Sequence, residues 1–216
     1  MKFDIILIEL DREVVFFMYY QYKEGWIEVI CGCMFAGKTE ELIRRIKTLQ
    51  YGKKNIKVFK PRIDDRYSKT EIASHSGYRV ECICIDNAKD ILNHLEGNED
   101  VIAVDEVQFL EKDIVLIADQ LADMGKRVIL AGLDRDFKGE AFGCMSDLLI
   151  RAEFITKLSA VCVVCGAPAT RTQRIINGNP ASYNDPVVLV GASESYEPRC
   201  RHCHEIKDKP YVKIKK

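Results

Sequence analysis

One octapeptide constrains this chain more than any other feature, because it fits the phosphate-binding pattern G-x-x-x-x-G-K-[ST]. It is Gly32–Thr39, and we call it the phosphate-binding loop. A strand-like run rich in β-branched residues, Trp26–Cys31, precedes it, and apolar residues at helical spacing follow from Leu42 to Leu49. In a strand–loop–helix unit of this kind, backbone N–H groups bind phosphate at the positive end of the helix dipole. We therefore predict an ATP site in which Lys38 neutralises the β- and γ-phosphates and Thr39 ligates Mg²⁺.

Strand-like and helical segments continue to alternate after this loop. We predict strands at Ile56–Phe59, Tyr78–Cys84, Val101–Val104 and Arg127–Leu133, and helices at Ala88–Leu95 and Ile114–Met124. This alternation predicts an α/β fold, a mostly parallel sheet with helices on both faces. Ligands of such folds bind at the carboxyl ends of the strands, and the phosphate-binding loop falls at such an end.

Two adjacent carboxylates, Asp105 and Glu106, follow the apolar run Val101–Val104. In an extended chain their side chains project to opposite sides. One carboxylate is then available to hold hydrated Mg²⁺, and the other to face an acceptor hydroxyl as a general base. The alternative interpretation is a pair of solvated charges at the end of a strand.

A weaker acidic signal is Asp64-Asp65-Arg66-Tyr67, in the long loop after the second predicted strand. A carboxylate there is able to join the metal site, and an arginine is able to contact phosphate. Because Asp and Arg occur in most loops, the pattern fits an ordinary surface loop equally well.

Four of the nine cysteines form two Cys-x-x-Cys pairs, Cys162/Cys165 and Cys200/Cys203. Together they supply the ligands of a closed tetrahedral Zn²⁺ site, which has a structural role. The segment between them is longer than the gap of about 15–20 residues in a simple zinc ribbon. Metal at the base of so long a lasso-like loop indicates that the loop closes over a ligand. Alternatives are His202 or His204 in place of a thiolate, and four cysteines without metal.

Composition excludes several functional classes. Lys and Arg number 32 and Asp and Glu 33, so the net charge is −1, which argues against a protein that mainly coats nucleic acid or an anionic membrane. No apolar run approaches the roughly 20 residues that cross a bilayer. Asp4 and Glu9 interrupt the first apolar run, and no cleavage site follows, so we expect no secretory signal. Because the cysteines do not form a disulfide framework, we predict a cytoplasmic protein.

The pattern divides the chain into four segments. Residues 1–24 are an N-terminal extension of unknown role, and Met18 within them is an alternative start. Residues 25–160 form the ATP-binding α/β domain. Residues 161–206 form the zinc-binding domain with its long loop, and 207–216 are a basic tail.

Four motifs in this order resemble the type II thymidine kinases over about residues 25–205. They are the phosphate-binding loop, DDRYS at Asp64–Ser68, DEVQF at Asp105–Phe109 and the two cysteine pairs. The resemblance implies a RecA-like α/β domain that transfers the γ-phosphate of ATP to the 5′-hydroxyl of thymidine, and of deoxyuridine, in nucleotide salvage for DNA synthesis. It also implies a structural zinc domain, a homotetramer and feedback inhibition by dTTP.

The resemblance also implies roles for individual residues. Glu106 matches the catalytic base, and Lys38 and Thr39 match the phosphate and Mg²⁺ residues. The other cofactor-binding residues are expected to be Gly32, Cys33, Met34, Phe35, Ala36, Gly37, Asp64, Arg66, Asp105 and Gln108. The thymidine-contacting residues are expected to be Met34, Phe109, Leu133, Phe137, Phe142, Thr172, Val187 and Tyr196, of which the last three lie in the loop between the cysteine pairs. The metal ligands are expected to be Cys162, Cys165, Cys200 and Cys203.

Two rival functions use the same motifs. A nucleic-acid-stimulated ATPase with a zinc module also combines an acidic strand end with four cysteines, but the low net charge and the scarcity of cations in the long loop argue against it. A non-catalytic zinc-binding interaction protein would carry only the relic of a nucleotide site. Intact Gly37, Lys38, Thr39 and Glu106 argue against that decay.

Overall fold

A computed structural model of the chain describes residues 4–10, 13–19, 25–62, 71–73, 77–188 and 194–212. Within these ranges the strands are β1 (Asp4–Leu10), β2 (Glu13–Tyr19), β3 (Trp26–Gly32), β4 (Ile56–Pro61), β5 (Glu71–Ala73), β6 (Arg79–Glu81), β7 (Ile83–Ile85), β8 (Val101–Val104), β9 (Arg127–Gly132), β10 (Phe154–Leu158), β11 (Ala160–Val161), β12 (Pro168–Ala169), β13 (Arg171–Ile176), β14 (Asn179–Pro180) and β15 (Glu194–Arg199). The α-helices are α1 (Lys38–Tyr51), α2 (Asp90–Asn93), α3 (Asp113–Asp123) and α4 (Met145–Arg151).

A six-stranded sheet in the order β10-β3-β9-β8-β4-β7 forms the centre of the fold, and every pair in it is parallel. Alternate residues of its inner strands face opposite sides. In β3, Val29 packs with α3 and α4 in one apolar cluster, whereas the next residue, Ile30, packs with α1 in another. Burial on both faces explains why the inner strands are almost continuously apolar. The predicted α/β fold with helices on both faces is confirmed.

Two predicted elements differ from the structure. The predicted strand Tyr78–Cys84 is two strands, because β6 pairs with β5 whereas β7 joins the central sheet beside β4. The predicted helix Ala88–Leu95 contains only one α-helical turn, α2. Its neighbours continue as tight turns with hydrogen bonds between residues three apart, as from the His94 N–H to the Ile91 carbonyl.

Among the elements that were not predicted are α4 and the strands β1 and β2. The short helix α4 carries apolar contacts on too few residues to show a helical period, although Met145 and Leu148 are fully buried. Residues 4–10 and 13–19 pair as antiparallel strands, from Asp4 opposite Tyr19 to Leu10 opposite Glu13. The division of the chain into an extension, two domains and a tail stays a prediction.

Beyond the central sheet, small antiparallel sheets surround the cysteine pairs. β11 pairs with β12, and β13 lies between β14 and β15. Cys162, Ala169 and Cys200 share a compact apolar cluster with Cys33 of the phosphate-binding loop. The loop is therefore packed directly against the cysteine-bearing part of the chain. In the residues that the structure describes, no helix combines the length and the apolar character needed to cross a membrane.

Gly32, at the end of β3, tolerates no side chain in this arrangement. Its φ is +148°, and a Cβ would overlap the carbonyl oxygen of Leu158 on β10. We expect Gly32→Ala to lower the free energy of unfolding by about 3 kcal/mol, because backbone strain and overlap add. Gly97→Ala is the matched control, since Gly97 also has a positive φ but nothing lies within 4 Å of its Cβ position. We expect it to cost about 1 kcal/mol. Equal midpoints for the two variants in urea unfolding would contradict the overlap.

Candidate active site

The phosphate-binding loop turns sharply between β3 and α1. Phe35 and Gly37 both have left-handed backbone angles, with φ of +64° and +82°. Alternation of left-handed and ordinary residues turns successive N–H groups toward one point, which forms a concave anion site. The helix begins at once, since the Glu41 N–H donates to the Gly37 carbonyl at 3.0 Å. The site therefore lies at the positive end of α1.

Lys38 is buried and lies across this loop. Its ammonium group donates to the Cys33 carbonyl oxygen at 3.1 Å. This contact holds the charge over the loop, where the phosphates of a nucleotide bind in proteins with this motif. The binding of the phosphates by Lys38 stays a prediction.

Thr39 and Asp105 connect α1 to the end of β8. The Thr39 hydroxyl donates to Asp105 Oδ2 at 3.0 Å, and the Glu106 N–H donates to Asp105 Oδ1 at 3.0 Å. The Asp105 N–H donates to the Phe59 carbonyl on β4 at 2.9 Å. Two neighbouring strands and the first turn of α1 thus fix this carboxylate beside the phosphate-binding loop.

The expectation of an extended Asp105–Glu106 pair is wrong. β8 ends at Val104, and Glu106 has φ of +50° and ψ of +38°, in the left-handed region. A 3₁₀ turn, Val107–Phe109, follows directly. The turn nevertheless separates the two carboxylates, because Asp105 contacts Thr39 whereas Glu106 contacts Gln108.

The electrostatics of this corner favour a bound cation. Burial, and then repulsion from the Glu106 carboxylate, raise the pKa of Asp105 to about 7, although hydrogen bonds from Thr39 and Glu106 and the Lys38 charge oppose the shift. The ionised Asp105 carboxylate would therefore be stabilised by an additional positive charge nearby. A hydroxyl and a carboxylate oxygen 3.0 Å apart are ligands of the kind that Mg²⁺ prefers. The residues therefore fit a Mg²⁺ ion delivered with a nucleotide.

Gln108, which we expected to bind the cofactor, lies beside Glu106. Its amide nitrogen donates to Glu106 Oε2 at 2.5 Å, and its amide oxygen accepts the Leu133 N–H at 3.1 Å. Both ends of this buried side chain are thus occupied. Gln108 anchors Glu106 to the chain that leaves β9, and its predicted contact with the nucleotide stays a prediction.

Two of the apolar residues expected around a nucleoside adjoin Gln108: Phe109 follows it in the chain, and Leu133 donates its N–H to the Gln108 amide oxygen. The rings of Phe109 and Phe142 meet edge to face, with centroids 5.5 Å apart. Leu133 and Phe137 are buried. The guanidinium of Arg174 lies 5.0 Å from the centre of the Phe137 ring. We call Leu133, Phe137 and the Phe109–Phe142 pair the apolar wall.

The three expected contacts from the segment between the cysteine pairs lie on different elements. Thr172, on β13, is buried, and its hydroxyl accepts the Met34 N–H of the phosphate-binding loop at 3.1 Å. Tyr196, on β15, is half-buried and lies opposite Arg174 in the strand register. Val187 is half-buried in the connection that follows β14. Thr172 thus has a direct bond to another predicted site residue.

One buried residue near the site was not predicted, and two predicted residues are not described. Arg174 is fully buried on β13, and besides Phe137 it contacts the Pro186 carbonyl at 2.6 Å. It was counted only as a loop cation, because Thr172, Gln173 and Arg174 are all buried and leave no alternating signal. The predicted Asp64 and Arg66 lie outside the described residues.

The four paired cysteines form one cluster. The sulfur atoms of Cys162, Cys165, Cys200 and Cys203 lie within 4.8 Å of one another. Tetrahedral Zn–S bonds of about 2.3 Å require sulfur separations of this order. The two knuckle turns are alike, since the Gly166 N–H donates to the Cys162 carbonyl and the His204 N–H to the Cys200 carbonyl. The cluster therefore has the composition and size to hold a zinc ion.

The thiols of the cluster are polarised unequally. Desolvation is the largest effect on Cys162, but backbone N–H groups, first that of Cys200, outweigh it and lower the pKa to about 6. The Cys203 N–H contributes most to the lowered pKa of Cys200. Hydrogen bonds with the Cys165 and Cys200 thiols raise the pKa of Cys203 to about 12. His202 and His204, the alternative ligands, lie outside this group of four.

A phosphate-binding loop that leads into a helix, beside a carboxylate at the end of a parallel strand, defines a P-loop nucleotide-binding protein. The thymidine kinase family model matches residues 25–204, and the chain belongs to that family. The resemblance drawn from the four motifs is confirmed.

Solved structures with a related arrangement are more distant. The flagellar accessory protein FlaH from Methanocaldococcus jannaschii is 11% identical, with 76% of this chain and 84% of that chain covered and a TM-score of 0.46. The genome packaging NTPase B204 from Sulfolobus turreted icosahedral virus 2 is 16% identical, with coverages of 63% and 75% and a TM-score of 0.40. At these values neither similarity bears on the activity.

Proposed function

We propose that this protein is an ATP-dependent thymidine kinase that phosphorylates the 5′-hydroxyl of thymidine, and of deoxyuridine, in nucleotide salvage for DNA synthesis. One observation carries the proposal beyond family membership. A chain of contacts runs from Thr39 at the phosphate-binding loop through Asp105 and Glu106 to Gln108, which borders the apolar wall. A phosphate donor site and an apolar acceptor site thus meet at one carboxylate.

The phosphate-binding loop and Lys38 hold the donor. N–H groups of the loop bind the phosphate oxygens, and Lys38 neutralises charge on the β- and γ-phosphates. Thr39 and Asp105 would hold Mg²⁺, which when bound offsets the charge that develops on the transferred group. Asp64 and Arg66 complete the donor site in this proposal. Because the transition state of phosphoryl transfer is loose, positioning and charge neutralisation supply most of the catalysis.

Glu106 is the general base in this mechanism. It accepts the proton of the 5′-hydroxyl as that oxygen attacks the γ-phosphorus in line with the leaving ADP. Gln108 orients the carboxylate through the 2.5 Å bond from its amide nitrogen to Oε2. The left-handed backbone at Glu106 is a strained conformation for glutamate, and strain of this kind occurs where a side chain must be aimed at a site.

The apolar wall and the segment between the cysteine pairs form the acceptor site. Phe109, Phe142 and Phe137 offer flat apolar surfaces suited to a thymine ring. Met34 lies on the same side of the thymine as these rings in this proposal, and Thr172, Val187 and Tyr196 cover it from the other side. The bond between the Met34 N–H and the Thr172 hydroxyl joins the covering segment to the phosphate-binding loop. The donor and acceptor sites are therefore held in a fixed position relative to each other.

The cysteine cluster holds a structural zinc ion in this proposal. Four thiolates leave the metal no open position for substrate, so its role is to fix both ends of the covering segment. The low pKa of Cys162 favours the thiolate form that binds metal. Homotetramer formation, feedback inhibition by dTTP and a cytoplasmic location are supported by the family. The absence of nucleic-acid and membrane partners is supported by the net charge of −1.

The experiment that separates this function from its rival measures ADP release. Purified protein is incubated with Mg-ATP alone, with thymidine, and with single-stranded DNA. We expect ADP release to depend on thymidine and to be unchanged by DNA. ADP release that rises with DNA and ignores thymidine would establish the nucleic-acid-stimulated ATPase instead.

Thr39 provides a test of the metal site. We expect Thr39→Val to raise the Mg²⁺ concentration for half-maximal activity about tenfold, because one oxygen ligand is lost at a cost of about 1.4 kcal/mol. Thr48→Val is the matched control on the same helix, where the hydroxyl donates only to the Arg44 carbonyl among the bonds that the structure describes. Identical Mg²⁺ titrations of the two variants would contradict the assignment.

A further inference from the structure

The chain continues to contact the candidate active site after the last cysteine. We call residues 204–209 the C-terminal segment; the family match ends at its first residue. The Gln173 side chain bonds to both backbone groups of Glu205, with its nitrogen 2.9 Å from the carbonyl and its oxygen 2.8 Å from the N–H. The Lys207 N–H donates to the Ala181 carbonyl at 3.1 Å, and the Tyr183 N–H donates to the Lys207 carbonyl at 2.8 Å. The segment thus pairs with both β13 and the connection after β14.

His204 makes the contact that reaches the apolar wall. Its Nε2 lies 3.0 Å from the Phe137 carbonyl oxygen. Because a carbonyl only accepts, the imidazole must donate from Nε2. Glu205, the next residue, is bonded through both of its backbone groups to the Gln173 side chain on β13. His204 therefore joins the wall on one side of the candidate nucleoside site to the covering strand on the other.

Phe137 belongs to a turn with both local and long-range contacts. Asp136 Oδ1 accepts the N–H groups of Lys138 and Glu140 at 2.9 and 3.0 Å, which shapes the turn. The turn also accepts bonds from outside, since the Tyr183 hydroxyl donates to Glu140 Oε1 and the Lys209 ammonium group donates to the Lys138 carbonyl. At Phe137 itself, His204 bonds to the carbonyl and the Arg174 guanidinium lies over the ring.

We propose that His204 is a positioning residue, whose bond to the Phe137 carbonyl sets the spacing between the apolar wall and β13 and thereby the affinity for the nucleoside. His204 directly follows Cys203, and its own N–H donates to the Cys200 carbonyl at 3.1 Å. Through these two bonds, His204 connects the cysteine cluster to the acceptor site. The nucleoside part of this inference rests on the proposed function.

The test compares three substitutions in the full chain. His204→Ala removes the donor, and His204→Gln retains one, since a glutamine amide nitrogen reaches nearly as far as Nε2. His202→Ala is the matched control, because His202 is an exposed histidine in the same knuckle and lies outside the cysteine cluster. The measurements are kcat, KM for thymidine and for ATP, zinc content, and hydrogen–deuterium exchange of residues 134–142. Should His204→Ala fail to fold, His204→Asn, whose amide is too short for this bond, replaces it.

We expect His204→Ala to raise KM for thymidine about tenfold, as loss of one hydrogen bond in a binding site allows. KM for ATP, zinc content and kcat should stay within about twofold of the parent, exchange at residues 134–142 should increase, and His204→Gln should reverse both effects. Unchanged exchange, or an equal rise in both KM values, would overturn the proposal. If the parent phosphorylates no nucleoside, the proposed function fails separately. The positioning role of His204 is then tested by exchange alone, and unchanged exchange of residues 134–142 in His204→Ala would still overturn it.

Discussion

Replacement of Glu106 by glutamine is expected to lower kcat for thymidine phosphorylation by about 10²–10⁴-fold, the usual contribution of a general base. Glutamine keeps the size of the side chain but cannot accept the proton of the 5′-hydroxyl. The binding of thymidine should change little, because the apolar wall supplies most of its contact surface. Single-turnover kinetics and equilibrium binding of thymidine measure the two quantities separately.

The surroundings of Glu106 make this substitution specific. Gln108 donates to Oε2, so a glutamine amide oxygen can take the same bond, and the left-handed backbone is unaffected by the exchange of oxygen for nitrogen. Glu81→Gln is the matched control, since Glu81 is an exposed glutamate on β6. Turnover of Glu106→Gln near that of Glu81→Gln would remove Glu106 from the role of base.

Replacement of Cys200 by serine is expected to cost both the metal and the activity. Binding of a structural zinc ion by four thiolates is worth about 10–16 kcal/mol, and this free energy also orders the chain around the site. Serine is a poor zinc ligand, and Cys200 is buried among Cys33, Cys162 and Ala169 against the phosphate-binding loop. We therefore expect zinc to fall well below one ion per chain, exchange to rise across residues 160–205, and thymidine phosphorylation to be lost.

The matched control for this variant is Cys82→Ser. Cys82 is half-buried between β6 and β7 and lies outside the cysteine cluster. Cys82→Ser should retain the zinc content and the activity of the parent. Full zinc content in Cys200→Ser would contradict a four-thiolate site. Retained activity after zinc loss would contradict the coupling of the metal to the acceptor site.

Local patterns predicted the parts of the site that local chemistry determines. The phosphate-binding loop is continuous in sequence, and its glycines, Lys38 and Thr39 have functions that depend on neighbours within the same octapeptide. The apolar runs of β3, β8 and β9 are buried on both faces, which makes them recognisable as strands of a parallel sheet. The two cysteine pairs could also be recognised from the sequence, because the spacing of metal ligands within each pair is a local property.

The remaining features depend on contacts between distant residues. Nothing in the sequence near Glu106 requires a left-handed backbone, which follows from the packing of the 3₁₀ turn after β8. The bond between Gln108 and the Leu133 N–H joins two strand ends that are far apart in the chain. The sequence therefore did not show it, and Gln108 was predicted to bind the cofactor. His204 was considered only as a metal ligand, since its partner Phe137 lies far away in the chain. Contacts of this kind leave no periodic signal.

In the proposed function, this chain transfers phosphate from ATP to thymidine. The most direct measurement incubates the purified protein with Mg-ATP and each deoxynucleoside separately and identifies nucleoside monophosphate by mass. We predict dTMP from thymidine and dUMP from deoxyuridine, with no monophosphate from deoxyadenosine or deoxyguanosine. Absence of monophosphate from every nucleoside, in protein that still binds ATP, would contradict the claim.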